Sequence, residues 1–191
     1  MINKAPCSLP IFGICAASSN AGKTTLITKL IPELSKRNIR VSVIKHAHHQ
    51  FDIDHPGKDS YKIREAGAVQ TLIASSKRWA LMTELSRTTK PQDAGLPDEA
   101  NLDDLIQQIN PEFADLILVE GFKSAAIPKI EVYRPSLNIQ LLASYDSNHD
   151  ANIIAVASDV ALHLSLDIPL LDLNNITEIA DFIVQKVLSP N

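Results

Sequence analysis

A doubly wound α/β fold with a mainly parallel sheet is predicted by three features of this 191-residue chain. Short apolar runs of strand length alternate with segments of helical period. One run, Leu116-Ile117-Leu118-Val119, is apolar throughout, as a parallel strand covered on both faces must be. The first run, Ile11-Phe12-Gly13-Ile14-Cys15-Ala16, passes through a loop of small residues directly into a helical pattern, the opening unit of such folds.

In chain order, strand 11–16 is followed by a helix over 23–37, where Leu26, Ile27, Leu30, Ile31 and Leu34 recur on one face. Pro32 removes one N–H from its ladder and should kink it. Arg40-Val41-Ser42-Val43-Ile44 reads as the second strand, and the polar stretch 46–60 turns at Pro56-Gly57. A short helix over 59–66, with Asp59 as its N-cap, ends at Gly67. Val69–Ala74 and Trp79–Thr83 read as strands joined through Ser75-Ser76-Lys77-Arg78, a hairpin candidate.

Residues 86–101 crowd Thr, Lys, Pro, Asp, Gly and Glu and read as a flexible polar connection. A helix over 102–109 precedes the apolar strand. Ile130 and Val132 then alternate with Lys129, Glu131 and Tyr133, a pattern expected of a half-exposed or edge strand. A second polar connection, 135–151, leads to strands at Ile153–Ala157 and Leu170–Leu173 and an amphipathic helix over 176–188. The expectation is one domain over 1–191, with some antiparallel strands at the sheet edges and polar connections at 86–101 and 135–151.

The loop Ala17-Ser18-Ser19-Asn20-Ala21-Gly22-Lys23-Thr24-Thr25 is the most informative segment. Strand, small-residue loop, Gly-Lys-Thr and helix together form a phosphate-loop context, which assigns the sheet to the P-loop NTPase type. Amides from Ser19 to Thr25 converge at the helix N-terminus, where the helix dipole adds partial positive charge. Lys23 supplies a full charge for β and γ phosphates, and the Thr24 hydroxyl suits a Mg²⁺ ligand. Ala17 and Asn20 stand where such loops have Gly. Ala permits close backbone approach, and Asn is the non-Gly residue most at ease at positive φ.

A phosphate loop needs a carboxylate at the end of a neighbouring strand. Glu120, directly after Leu116–Val119 and before Gly121, is the candidate catalytic and metal residue beside Lys23. Asp115 lies at the other end of that strand, about 17 Å away. Asp159, just past strand 153–157, is the candidate reader of guanine, whose N1–H and exocyclic amine can both bond to one carboxylate. It resembles the Asp of guanine-reading loops, with Ala157 where those loops have Lys. Its bland alternative is to cap the turn beginning at Val160.

Lys45-His46-Ala47-His48-His49-Gln50-Phe51-Asp52-Ile53-Asp54 has three readings. The imidazoles and carboxylates could hold a transition metal. Alternatively Asp52 and Asp54 reach Mg²⁺ while Lys45 and the histidines face phosphates, or the stretch is a polar surface loop.

Composition narrows the classes. A formal charge of −4, from 18 Lys+Arg against 22 Asp+Glu, argues against general nucleic-acid binding. The apolar runs are too short to cross a membrane as helices. Two cysteines make no disulfide framework, with Cys15 expected as a buried strand thiol and Cys7 in the N-terminal arm. Residues 1–10 carry Pro6 and Pro10 and no apolar core of signal-peptide length, so a cytoplasmic protein is expected.

A set of motifs in one order resembles a known family. The set is Ala21–Leu26, Val43–His49, Asp52-Ile53-Asp54, Pro56–Ser60, Arg64–Ala68, Arg78–Leu81, Leu118–Lys123 and Ile154–Asp159. Over nearly the whole chain these are similar to MobB, the molybdopterin-guanine dinucleotide biosynthesis protein B family. The resemblance implies a GTP-binding homodimer with Mg²⁺ and at most slow GTPase activity. It implies an adaptor that assists the guanylyltransferase joining GMP to molybdopterin, with molybdopterin itself as a further candidate ligand. It carries nucleotide and Mg²⁺ roles onto Gly22, Lys23, Thr24, Thr25 and Glu120; the family's loop usually has Gly at the position of Asn20. Two competing functions are a small-molecule kinase or ligase with an acceptor site from 45–59 and 121–134, and a GTPase metallochaperone using His46, His48 and His49. Ile130 and Val132, on the expected edge strand, offer one surface for a homodimer.

Overall fold

β1 (Ile11–Cys15) carries four buried residues of its five and lies inside a six-stranded sheet of order β2-β5-β1-β6-β7-β8. The other strands are β2 (Val41–Lys45), β5 (Leu116–Glu120), β6 (Lys129–Tyr133), β7 (Ile153–Ser158) and β8 (Leu170–Asp172). Every pairing in this sheet is parallel. The computed structural model describes residues 9–47, 51–88, 100–144, 152–162 and 167–188. It divides the chain into two compact units, Met1–His46 with Asn101–Asn191, and Ala47–Ala100.

The sheet belongs to the first unit. Phe12, Ile14, Leu116, Leu118, Ile130, Val132, Ala155 and Ala157 pack with α1 (Lys23–Ser35) and α4 (Ile176–Val187) in one core layer. Ile44, Ile117 and Val119 pack with Leu102 and Ile106 of α3 (Leu102–Ile106) in another. The side chains of Asn101 and Asn175 cap α3 and α4 by accepting backbone N–H groups of the first turn. β1 has β5 on one side and β6 on the other, so the chain builds the sheet in both directions from it. The loop after β1 therefore emerges at the switch point, where α/β sheets bind ligands.

The main departure from sequence expectation is β6. It is the fourth strand of six, not an edge, and Lys129 and Glu131 are fully buried. The alternation is real, but its polar side is covered by protein instead of water. Lys129 Nζ donates to the Ala125 carbonyl, and Glu131 accepts the Leu142 and Ala143 N–H groups at 2.8 and 2.9 Å. Burial pushes the Glu131 carboxyl up and the Lys129 ammonium down from their ordinary values. Burial, reinforced by the nearby Glu131, takes the Cys15 thiol up to about 12, so this cysteine is an inert core group. Ile130 and Val132 are buried under α1 and α4 and are not available to pair with another chain.

Gly13 makes the Lys129 path possible. A Cβ there would overlap Lys129 Cγ and lie 3.2 Å from Ile127 Cδ1. Gly13→Ala is therefore expected to cost about 1–3 kcal/mol by overpacking. Urea unfolding would show it as a lower midpoint with an unchanged slope, and an unchanged midpoint would mean that the Lys129 stem does not need the space at Gly13.

The second unit contains α2 (Asp59–Glu65) and the hairpin of β3 (Gln70–Ala74) with β4 (Trp79–Thr83), which pair antiparallel as a separate two-stranded sheet. The antiparallel strands anticipated at the edges of the main sheet are these. Gly67 ends α2 at φ +110, as expected. Asp59 is not its N-cap: Lys58 holds that position, and Asp59 opens the helix with its carboxylate on Lys62 Nζ at 3.2 Å. Arg87 donates to the carbonyls of Arg64 and Ala68, tying the segment after β4 to the end of α2. The hairpin leaves Leu72 and Trp79 more than 60% exposed.

Candidate functional site

Gly22, at φ +105, is the N-cap of α1 and provides no capping side chain, and the first turn carries no acid. The leading amides of the helix are thus left for an external anion. Asn20 takes φ +64, the left-handed conformation expected of it in place of Gly. Lys23 Nζ donates to the Ser18 carbonyl at 2.9 Å, which folds the loop around its own ammonium. Burial lowers the pKa of Lys23, and Glu120 opposes the shift. Ala21 is buried, whereas Ser19, Asn20, Thr24 and Thr25 face solvent at the loop surface.

Glu120, the last residue of β5, is only 7% exposed. Register places it beside Ile14 of β1 and Lys45 of β2, at the strand ends that face the loop. Its Oε1 accepts from Thr24 Oγ1 at 2.8 Å and lies 3.3 Å from Lys45 Nζ, which is itself 3.4 Å from Thr24 Oγ1. Glu120 is thus enclosed by its partners and not a solvated end of the strand. A hydroxyl and a carboxylate in contact at a phosphate cradle are the oxygen donors a hard divalent cation takes.

The turn after Glu120 is tightly built. The Glu120 carbonyl accepts the His46 N–H at 2.9 Å, and Gly121 takes φ +92 where a Cβ would lie 2.9 Å from that of His46. The His46 ring stacks on Phe122 with centroids 4.6 Å apart. His46 thus packs against the turn that carries Glu120. His48 and His49 lie outside the described residues, among which no group of three or more His, Cys, Asp or Glu could hold a metal ion.

Asp52 and Asp54 belong to the second unit, where each has partners of its own. Asp52 pairs with Arg64 at 2.5 Å, and Asp54 accepts from Ser60 Oγ at 3.0 Å. Asp115, at the far end of β5, forms a two-pronged pair with Arg40 that holds its carboxyl near 2, well below the usual range. Asp159 does not cap the turn at Val160, whose N–H goes to Ser158 Oγ at 3.3 Å. Its carboxylate pairs instead with Arg134, which also donates through Nε to the Ala21 carbonyl at 2.9 Å. Sequence reasoning missed Arg134. Its signal is its place at the C-terminal end of a parallel strand, which the half-exposed or edge pattern of β6 hides.

The family model for molybdopterin guanine dinucleotide synthesis protein B (MobB) matches residues 11–159, a span that runs from β1 to Asp159. The chain belongs to the MobB family. It is 47% identical over 178 residues to the molybdopterin-guanine dinucleotide biosynthesis adapter protein of Escherichia coli, covering 92% of this chain and 93% of that one. It is 46% identical over 175 residues to the adapter protein of Haemophilus influenzae, covering 92% and 88%. A crystal structure of molybdopterin-guanine biosynthesis protein B is similar with TM-score 0.63 and 27% identity, covering 93% of this chain and 99% of that one. Bacillus subtilis MobB has TM-score 0.67 at 22% identity over 95% and 100% of the two chains, a likeness of fold. Within the MobB frame, the phosphate loop, Glu120, Arg134 and Asp159 gather at the C-terminal edge of one parallel sheet.

Proposed function

We propose that this MobB-family protein binds GTP with Mg²⁺ and acts as an adapter in the formation of molybdopterin guanine dinucleotide, alongside the guanylyltransferase that joins GMP to molybdopterin. The observation that carries the nucleotide half is the Thr24–Glu120 contact, which joins the phosphate-loop helix to the end of β5. Lys23 and the α1 N-terminus hold the phosphates, Lys45 turns toward them, and Thr24 and Glu120 hold the cation, directly or through water. The cation neutralises phosphate charge when bound. Hydrolysis of GTP is slow at most in this reading.

The adapter half is supported by relatives 46–47% identical over most of their length, each named an adapter protein. Neither the kinase nor the metallochaperone reading gains an observation, since the His46 ring packs on Phe122. Asp52 and Asp54 remain candidate Mg²⁺ ligands only if they exchange Arg64 and Ser60 for the ion. The proposed setting is the cytoplasm; among the described residues no helix is long and apolar enough to cross a membrane. Affinity purification of the endogenous protein tests the adapter role. The guanylyltransferase and a guanine nucleotide should co-purify, with molybdopterin the further ligand to look for. Recovery of nucleotide without any protein of molybdenum-cofactor assembly would reject it.

A homodimer is part of the same proposal, on a different surface from the one the sequence pattern offered. The exposed Leu72, Trp79 and Leu81 of the hairpin supply apolar area that an assembly would cover. Light scattering at micromolar concentration should give twice 20.9 kDa. A constant monomer mass would reject the dimer.

A further inference from the structure

Arg134 follows β6 directly and makes two different kinds of contact at the site. Its Nε donates to the Ala21 carbonyl at 2.9 Å, and its Nη1 pairs with Asp159 Oδ2. Its Nη2 lies 3.4 Å from where a Gly22 Cβ would be, so the guanidinium lies beside Gly22. The other carboxylate oxygen, Asp159 Oδ1, is shielded from solvent and has no hydrogen-bond partner. A shielded acceptor without a donor is costly, and a ligand N–H that reaches it removes the cost.

We propose that Arg134 is a positioning residue for base reading, anchored on the phosphate-loop backbone through its Nε and fixing Asp159 so that the unpartnered carboxylate oxygen meets a nucleobase N–H. The inference rests on the GTP reading above and adds the residue that makes the base choice effective. Guanine presents N–H donors at N1 and the exocyclic amine, and adenine presents an acceptor at N1. A carboxylate that Arg134 prevents from rotating away discriminates between them. A mobile one discriminates less. Because the same guanidinium touches the loop carbonyl, the base-reading carboxylate is held in register with the loop through one side chain.

Calorimetric titration of the full chain with Mg·GTP, Mg·ATP and inorganic tripolyphosphate tests this, using wild type, Arg134→Gln, Arg134→Lys and Asp159→Asn. Arg134→Gln should lower GTP affinity about tenfold and leave ATP and tripolyphosphate within about threefold, so the preference for GTP narrows. Adding Asp159→Asn to Arg134→Gln should cost little more, because the two residues act as one unit. Arg134→Lys keeps the charge but not the planar fork, so it should leave tripolyphosphate binding unchanged and still narrow the preference for GTP. If Arg134→Gln does not fold, Arg134→Lys carries the same reading. Equal losses for all three ligands would make Arg134 a phosphate ligand and overturn the proposal, as would an unchanged preference in both variants. Wild type that binds none of the three ligands would overturn the GTP reading itself, while Asp159→Asn that gains xanthosine triphosphate would support both.

Discussion

Lys23→Ala is expected to lower GTP affinity by about tenfold to a thousandfold, about 1.4–4 kcal/mol, while the protein stays folded. Lys23 contributes the full positive charge of the loop, and its ammonium is already held inside the cradle by the Ser18 carbonyl. Charge-assisted bonds to phosphate are about twice as strong as neutral ones, so the remaining amides cannot replace it. The fold tolerates the change because Lys23 opens α1 with a half-buried side chain, and Ala is the best helix former. Calorimetry with thermal unfolding on the same sample separates the two effects. Unchanged GTP binding would refute the phosphate-loop assignment.

Glu120→Gln should weaken GTP binding about tenfold to a hundredfold in the presence of Mg²⁺, the range for losing a group that orders a metal. Gln keeps the shape and an oxygen to accept the Thr24 hydroxyl, so the 2.8 Å contact survives without its charge. The sign reverses without metal. A carboxylate beside the phosphate cradle repels an anion, so the variant should bind metal-free GDP at least as well as wild type. Equal losses with and without Mg²⁺ would assign Glu120 a structural role at the end of β5.

These two residues were legible in the sequence because each stands at the junction of a recognisable element with a loop. Ile11–Cys15 and Leu116–Glu120 are apolar enough to identify as strands without any partner, and the parallel sheet then brings their ends together. β6 misled because burial of Lys129 and Glu131 depends on the 121–128 and 138–144 segments, whose carbonyl and amides receive them. No local pattern distinguishes a polar face covered by protein from one covered by water. Arg134 was missed for the same reason, and Asp159 was placed without its partner. The roles of Asp52 and Asp54 depend on contacts with Arg64 and Ser60 that sequence spacing does not reveal.

The antiparallel hairpin was legible as strands but not as a separate sheet, since the choice between edge and isolated pair depends on what each strand meets. Asn20 went the other way. Its tolerance of positive φ was argued from residue chemistry alone, and the loop places it at +64.

On the reading proposed above, the phosphate loop, Glu120 and Asp159 together form a guanine nucleotide site. Titrating the purified chain with GTP and ATP, each with Mg²⁺, tests it most directly. The expected result is saturation at one GTP per chain, weaker binding of ATP, and loss of the GTP signal when Mg²⁺ is removed. Binding of neither nucleotide, or equal binding of both unaffected by Mg²⁺, would contradict it.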